Sequence, residues 1–232
     1  MLYVILAAVS LQAAPPPSPV QLTLDLGFVN SSGNSDVTTF NLGQRLAYTT
    51  GAWVFTQTAK VLYGETDGSA TAESYEAGLR GDYVIKEQVS AFGLLTYQRN
   101  PFAGLASRFS EGVGLAWRAV RAPRDSLRLE ATLSMNQERS TADVETSFGA
   151  MRGALGYKHM LGANSFFTQT LEAVLNLQDS EDLRVNSETA FTAPISQQIA
   201  LKASYVVRYD RQPEPGFEDT DRLFTTGVQI VF

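Results

Sequence analysis

The sequence predicts an all-β chain, folded as a transmembrane, antiparallel, up-and-down β-barrel of about twelve strands. Three observations predict it: apolar and polar residues alternate along most of the chain, aromatic residues gather near the ends of the alternating segments, and the last segment closes on Phe232.

The first residues stand apart from that pattern. Residues 1–11 are a short apolar run, followed by Gln12-Ala13-Ala14 and then Pro15-Pro16-Pro17-Ser18-Pro19. A run this short does not cross a bilayer, and it has the make-up of the apolar region of a secretory signal with cleavage near Ala13 or Ala14. We expect residues 1–14 to be a signal peptide, 15–19 a proline-rich spacer and 20–232 the barrel. No Lys or Arg precedes the apolar run, which leaves the true start codon open. No cysteine follows it, so no lipoprotein anchor is expected. The competing reading, a buried N-terminal helix, would be ended at once by the prolines.

The clearest strand is 126–136, where Leu127, Leu129, Ala131, Leu133 and Met135 share one face and Arg128, Glu130, Thr132, Ser134 and Asn136 the other. Successive side chains of a strand point to opposite faces, so one surface is apolar and the other charged. The segment 37–48 repeats this, with Phe40, Leu42, Leu46 and Tyr48 against Thr39, Asn41, Gly43 and Arg45. In 52–64, Trp53, Phe55, Ala59, Val61 and Tyr63 oppose Thr56, Thr58 and Lys60. In 75–85, Tyr75, Ala77, Leu79, Tyr83 and Ile85 oppose Glu76, Arg80 and Asp82. In 199–209, Ile199, Leu201, Ala203, Tyr205, Val207 and Tyr209 oppose Lys202, Ser204 and Arg208. Seven weaker segments, about 20–30, 88–99, 108–120, 146–158, 165–178, 183–193 and 221–232, complete an even number, as a single-chain antiparallel barrel requires. Phe92, Leu94 and Phe148 fall on the face that should be polar, through either a bulge or a partly filled lumen.

With a periplasmic N-terminus, the outside connections are 30–36, 66–73, 100–107, 140–145, 179–182 and 212–221, and the periplasmic ones 49–51, 86–87, 122–125, 161–164 and 194–196. Longer outside loops and short periplasmic turns are the pattern of outer-membrane barrels. Tyr48, Trp53, Tyr83, Trp117, Tyr157 and Phe167 lie beside the turns, and Tyr63, Tyr75, Tyr97, Phe109 and Tyr209 beside the loops, all on apolar faces. Two such rows form girdles at the headgroup levels. Phe224, Val228, Ile230 and Phe232 share a face of the last segment, which resembles the C-terminal strand signal of outer-membrane barrels. That resemblance implies recognition by the barrel-assembly machinery through Val228, Ile230 and Phe232.

Composition closes off other classes. No stretch of about 18 apolar residues occurs, so no spanning helix is expected. The chain has no cysteine, hence neither a disulfide framework nor a thiolate metal site. A net charge of −6 argues against a nucleic-acid partner.

The stretch Gly27-Phe28-Val29-Asn30-Ser31-Ser32-Gly33-Asn34-Ser35-Asp36-Val37-Thr38-Thr39 resembles the opening of the salt-induced outer-membrane protein family, whose barrel domain has no assigned function. There a Gly-aromatic strand end leads into a Ser-Gly-Asn-Ser/Thr-Asp loop and a Thr-rich second strand. Only residues 32–36 carry a specific motif, although strand spacing and the final Phe extend the likeness loosely along the chain. The resemblance implies a location in the bacterial cell outer membrane and a link to osmotic stress, and no chemistry. In physical terms Gly33-Asn34 supplies a positive-φ turn, and Ser35 or Asp36 caps backbone N–H groups, so a structural hairpin is preferred over a binding loop.

A catalytic reading, an outer-membrane hydrolase, would need the one histidine, His159, as general base. His159 shares the parity of Met151, Leu155 and Tyr157, so it is expected at the lipid interface beside a periplasmic turn, and no catalytic, cofactor or metal site is expected. A secreted β-sandwich is the other alternative, disfavoured by the girdles and by Phe232. The inward face is richer: Arg45, Lys60, Glu76, Arg80, Asp82, Arg118, Arg128, Glu130, Arg152, Lys158, Glu172, Arg184, Glu188, Lys202, Arg208 and Asp210 are expected to line one lumen. Unpaired buried ions are costly, so these groups pair as a plug or stay hydrated as a narrow small-solute channel; the excess of basic residues leans such a channel toward anions.

Overall fold

The computed structural model describes residues 19–31, 37–162 and 165–232. The expected signal peptide and most of the spacer, as well as the 32–36 motif, lie outside the described residues. Twelve strands follow one another: β1 (Val20–Ser31), β2 (Val37–Thr50), β3 (Trp53–Thr66), β4 (Ser69–Lys86), β5 (Val89–Asn100) and β6 (Leu105–Arg121). The second half comprises β7 (Asp125–Ser140), β8 (Glu145–Leu161), β9 (Ser165–Asn176), β10 (Leu183–Pro194), β11 (Ile199–Asp210) and β12 (Thr220–Val231). Each strand pairs antiparallel with its neighbours in sequence, and β12 returns to β1, closing the sheet into a barrel. Closure pairs the first and last strands with each other instead of leaving two open edges, which is what a sheet surrounded by lipid needs.

The alternation of the sequence becomes the inside and outside of the wall. On β7, Leu133 is 59% exposed on the outer face whereas its neighbour Thr132 is 3% exposed toward the interior. Outer side chains include Leu79, Val113, Leu115, Leu201 and Phe224, so the wall is wrapped in an apolar belt. Trp53 stacks on Phe55 at 5.7 Å and meets Tyr83 at 5.1 Å, forming an aromatic cluster near the barrel end that holds Phe232. We call that end the terminus end and the opposite one the loop end.

One expectation needs correction, and one open alternative is decided. The connection expected over 66–73 is instead a two-residue hairpin, Asp67-Gly68, with φ of 49° and 75°. Positive φ at both central residues is the turn that Asp-Gly favours between twisted strands, so β4 begins at Ser69 and not near Tyr75. The sorting of long loops to one end is therefore incomplete; the longest loop-end connections are 177–182 and 211–219. Phe92 and Phe148 are only 4% and 5% exposed and point into the barrel, where Arg80 lies 3.6 Å from the Phe92 ring centroid and Arg184 5.5 Å from that of Phe148. The β4–β5 and β5–β6 registers run unbroken past Phe92 and the β7–β8 register past Phe148, so a partly filled lumen, not a bulge, explains their parity.

The joint between β1 and β12 is the shortest in the wall. Its register runs from Thr23↔Val231 to Leu26↔Val228, while β1 pairs with β2 from Val20 to Ser31. Phe232 extends the joint, donating its N–H to the Leu22 carbonyl at 2.9 Å and accepting from the Leu22 N–H at 3.3 Å.

A lumen divided by an ion-pair layer

The inward faces of β4, β7 and β8 bring charged residues to one level of the lumen. Arg80 bonds Asp82 at 2.7 Å and reaches Glu130 at 2.9 Å. Arg128 bonds the same two carboxylates, each at 2.7 Å. Arg152 joins the layer from β8, 3.5 Å from Glu130 and 2.5 Å from Glu172. Alternation places Arg80 and Asp82 on one face of β4 and Arg128 and Glu130 on one face of β7, so each strand supplies an intrastrand pair. The pairs then interlock across the barrel, which satisfies the desolvated charges mutually. Phe92 supports the layer from below the Arg80 guanidinium, a cation over a ring face.

A second network lies nearer the loop end. Arg184 contacts Glu138 at 3.0 Å, and Asp182 and Asp210 at 3.2 Å each. Arg108 holds Glu138 at 2.7 Å, and Glu76 meets Arg208 at 2.8 Å. Lys202 bridges Asp25 at 3.1 Å and Glu188 at 3.4 Å. Lys158 lies over the Phe166 ring at 3.9 Å. Arg45, Lys60 and Arg118 line lumen cavities without an ion pair among the described residues. Asp25, Arg108, Glu138 and Asp182 belong to these networks and were not singled out from the sequence. Glu138 and Arg108 do share the lumen parity of their strands, but they lie at or beyond the limits expected from the alternation.

Among the described residues the interior holds a cavity of about 630 Å³ at the loop end and another of about 590 Å³ at the terminus end. Arg80, Arg128 and Glu130 line both, so the ion-pair layer is the partition between two polar vestibules. His159 faces outward at the terminus end, its Nδ1 2.8 Å from Asp125 Oδ1, which also accepts a hydrogen bond from the Tyr157 hydroxyl at 2.6 Å. Among the described residues no group of three or more His, Cys, Asp or Glu side chains is placed to hold a metal ion.

A closed antiparallel barrel, apolar outside and charged inside, is the architecture of a bacterial outer-membrane β-barrel. Residues 24–232 match the family described as "Protein of unknown function, DUF481", to which the chain therefore belongs. The chain is 26% identical over 218 residues to the "Uncharacterized protein YdiY" of Escherichia coli, covering 90% of this chain and 82% of that protein. Among solved structures it resembles the NanC porin, with a TM-score of 0.57 at 8% identity over 90% of this chain and 98% of the other. It also resembles the KdgM porin in complex with disordered oligogalacturonate, with a TM-score of 0.50 at 11% identity over 90% of this chain and 99% of the other. The translocator domain of the autotransporter NalP from Neisseria meningitidis gives a TM-score of 0.50 at 14% identity over 94% of this chain and 90% of the other. At these identities the likeness is one of fold.

Proposed function

We propose that the protein is a narrow channel for small hydrophilic solutes, with its constriction at the Arg80/Asp82/Arg128/Glu130 layer. The observation that carries this reading is the pair of polar cavities meeting at that layer, which leaves a single layer of ion pairs between them. Charged rings at a constriction set both the size and the sign of what passes. Residues 1–14 act as the export signal in this reading, and Val228, Ile230 and Phe232 as the strand presented to the barrel-assembly machinery. A hydrolase is the weaker reading, because the His159–Asp125 pair faces away from both cavities.

Flux from proteoliposomes tests the reading. Small inorganic ions should leave wild-type vesicles at rates above protein-free ones, while neutral oligosaccharides are retained. Equal retention of ions in both preparations would refute a channel.

A further inference from the structure

The two vestibules differ in charge. As many carboxylates as cations line the loop-end cavity. The terminus-end cavity is lined by five basic side chains and three acidic ones. Its carboxylates are all engaged: Asp82 by Arg80 and Arg128, Glu130 by Arg80, Arg128 and Arg152, and Glu87 by Arg121. Arg45, Arg118 and Lys86 line the same cavity with no ion-pair partner among the described residues. Arg118 stands directly opposite Arg128 in the β6–β7 register, and the two carboxylates beside that pair, Asp82 and Glu130, are both bonded to Arg128, so the charge of Arg118 is left without a bonded partner among the described residues. Arg45 also stands within electrostatic range of Arg80 and Arg128, and of Asp82, which those two arginines already hold.

We propose that the terminus-end vestibule is a binding site for a small divalent oxyanion, a dicarboxylate or a phosphate, held by Arg45 and Arg118 with Lys86 contributing charge. The planar guanidinium fork matches carboxylate and phosphate oxygens two at a time, and two free forks suit an anion with two charges better than chloride. The cavity of about 590 Å³ leaves room for such a molecule together with water. The asymmetry gives direction to the solute path: an anion that crosses the ion-pair layer meets its holding site on the terminus side. The proposal deepens the channel reading by naming a solute class, yet binding is measurable whether or not the barrel conducts.

The test titrates inorganic phosphate, and separately succinate, into the purified full-length protein in detergent micelles by calorimetry at constant ionic strength. Wild type should bind both saturably, and Arg45→Gln and Arg118→Gln should each weaken binding by about tenfold or more, the loss expected for a hydrogen-bonded charge. Arg139→Gln, at a loop-end position paired with Asp143, should leave binding unchanged. Binding of phosphate alone, or of succinate alone, would assign the anion within the class. A readout on unaltered protein guards against misfolded variants: phosphate should slow phenylglyoxal modification at Arg45 and Arg118, but not at Arg139, beyond the effect of chloride. No saturable binding of either anion, or equal binding by the variants, or no selective protection, would overturn the site.

Discussion

The guanidinium of Arg80 lies 3.6 Å from the centroid of the Phe92 ring while its nitrogens hold Asp82 and Glu130. One side chain thereby links the packing of the β4–β5 wall to an ion pair made with β7. The ring itself is seated over Gly114 on β6: a Cβ built there would lie 2.5 Å from Phe92 Cζ and 2.5 Å from the Ala131 carbonyl oxygen. Gly114→Ala should therefore displace the ring and destabilise the barrel by about 1–3 kcal/mol, the usual effect of overpacking. Gly153→Ala, with nothing within 4 Å of the added carbon, should be near neutral. Folding titrations into lipid vesicles compare the two, and equal stabilities would remove Gly114 as the seat of the ring.

The facing of the wall is testable at single positions. Leu201 projects outward and Thr170 lines the loop-end cavity. Leu201→Arg puts a cation against hydrocarbon and should cost roughly 2–4 kcal/mol near mid-bilayer. Thr170→Arg meets Glu172, Glu188 and water in the cavity and should cost much less. Thr132 and Ser204 also face inward but have no such room: both are buried, with Arg152 3.5 Å from Thr132 Oγ1 and Ser204 bonded to Thr225 at 2.6 Å. A larger loss at Thr170 than at Leu201 would reverse the assignment.

Alternation made strands such as β7 and β11 readable, because lipid outside and charge inside impose a period of two wherever the wall is thin. It also placed Arg80, Asp82, Arg128 and Glu130 on one surface. What it could not supply was height: whether two inward charges on different strands meet depends on strand tilt and register, which sequence parity leaves free. The Asp67-Gly68 turn carries a hairpin signal, yet the stretch Ser69–Ser74, small and polar with no large apolar side chain, obscured it, since the strand extends past the zone of large apolar residues. Phe92 and Phe148 broke the pattern because they support arginines inside the lumen, a tertiary demand with no period of its own.

Glu111 is a carboxylate on the outer face. It opposes Leu95 and Met135 in the register and has no hydrogen-bond or ion-pair partner among the described residues. An unpartnered carboxylate near the apolar belt is unfavourable, though less so than a buried cation, so Glu111→Leu should stabilise the barrel by on the order of 1 kcal/mol. The same vesicle titration measures it, and a destabilised variant would mean that Glu111 contacts a group outside this chain.

The β1–β12 joint makes Phe232 sensitive. Its two backbone bonds to Leu22 add to a short register, so removing it should lower the amount of heat-modifiable barrel in membranes well below that of Ser69→Ala, a change beside an exposed turn. Immunoblots of unheated and heated membrane samples read this directly. Equal levels of folded barrel would show that closure does not depend on Phe232.

Single-channel recording in planar bilayers bears most directly on the central claim that the Arg80/Asp82/Arg128/Glu130 layer is the constriction between two vestibules. Wild type should give small, discrete conductance steps. Arg80→Ala paired with Asp82→Ala, which removes one cation and one anion together, should enlarge those steps while the outer wall is unchanged. Steps of the same size in wild type and the double variant, or silence from both, would contradict the account.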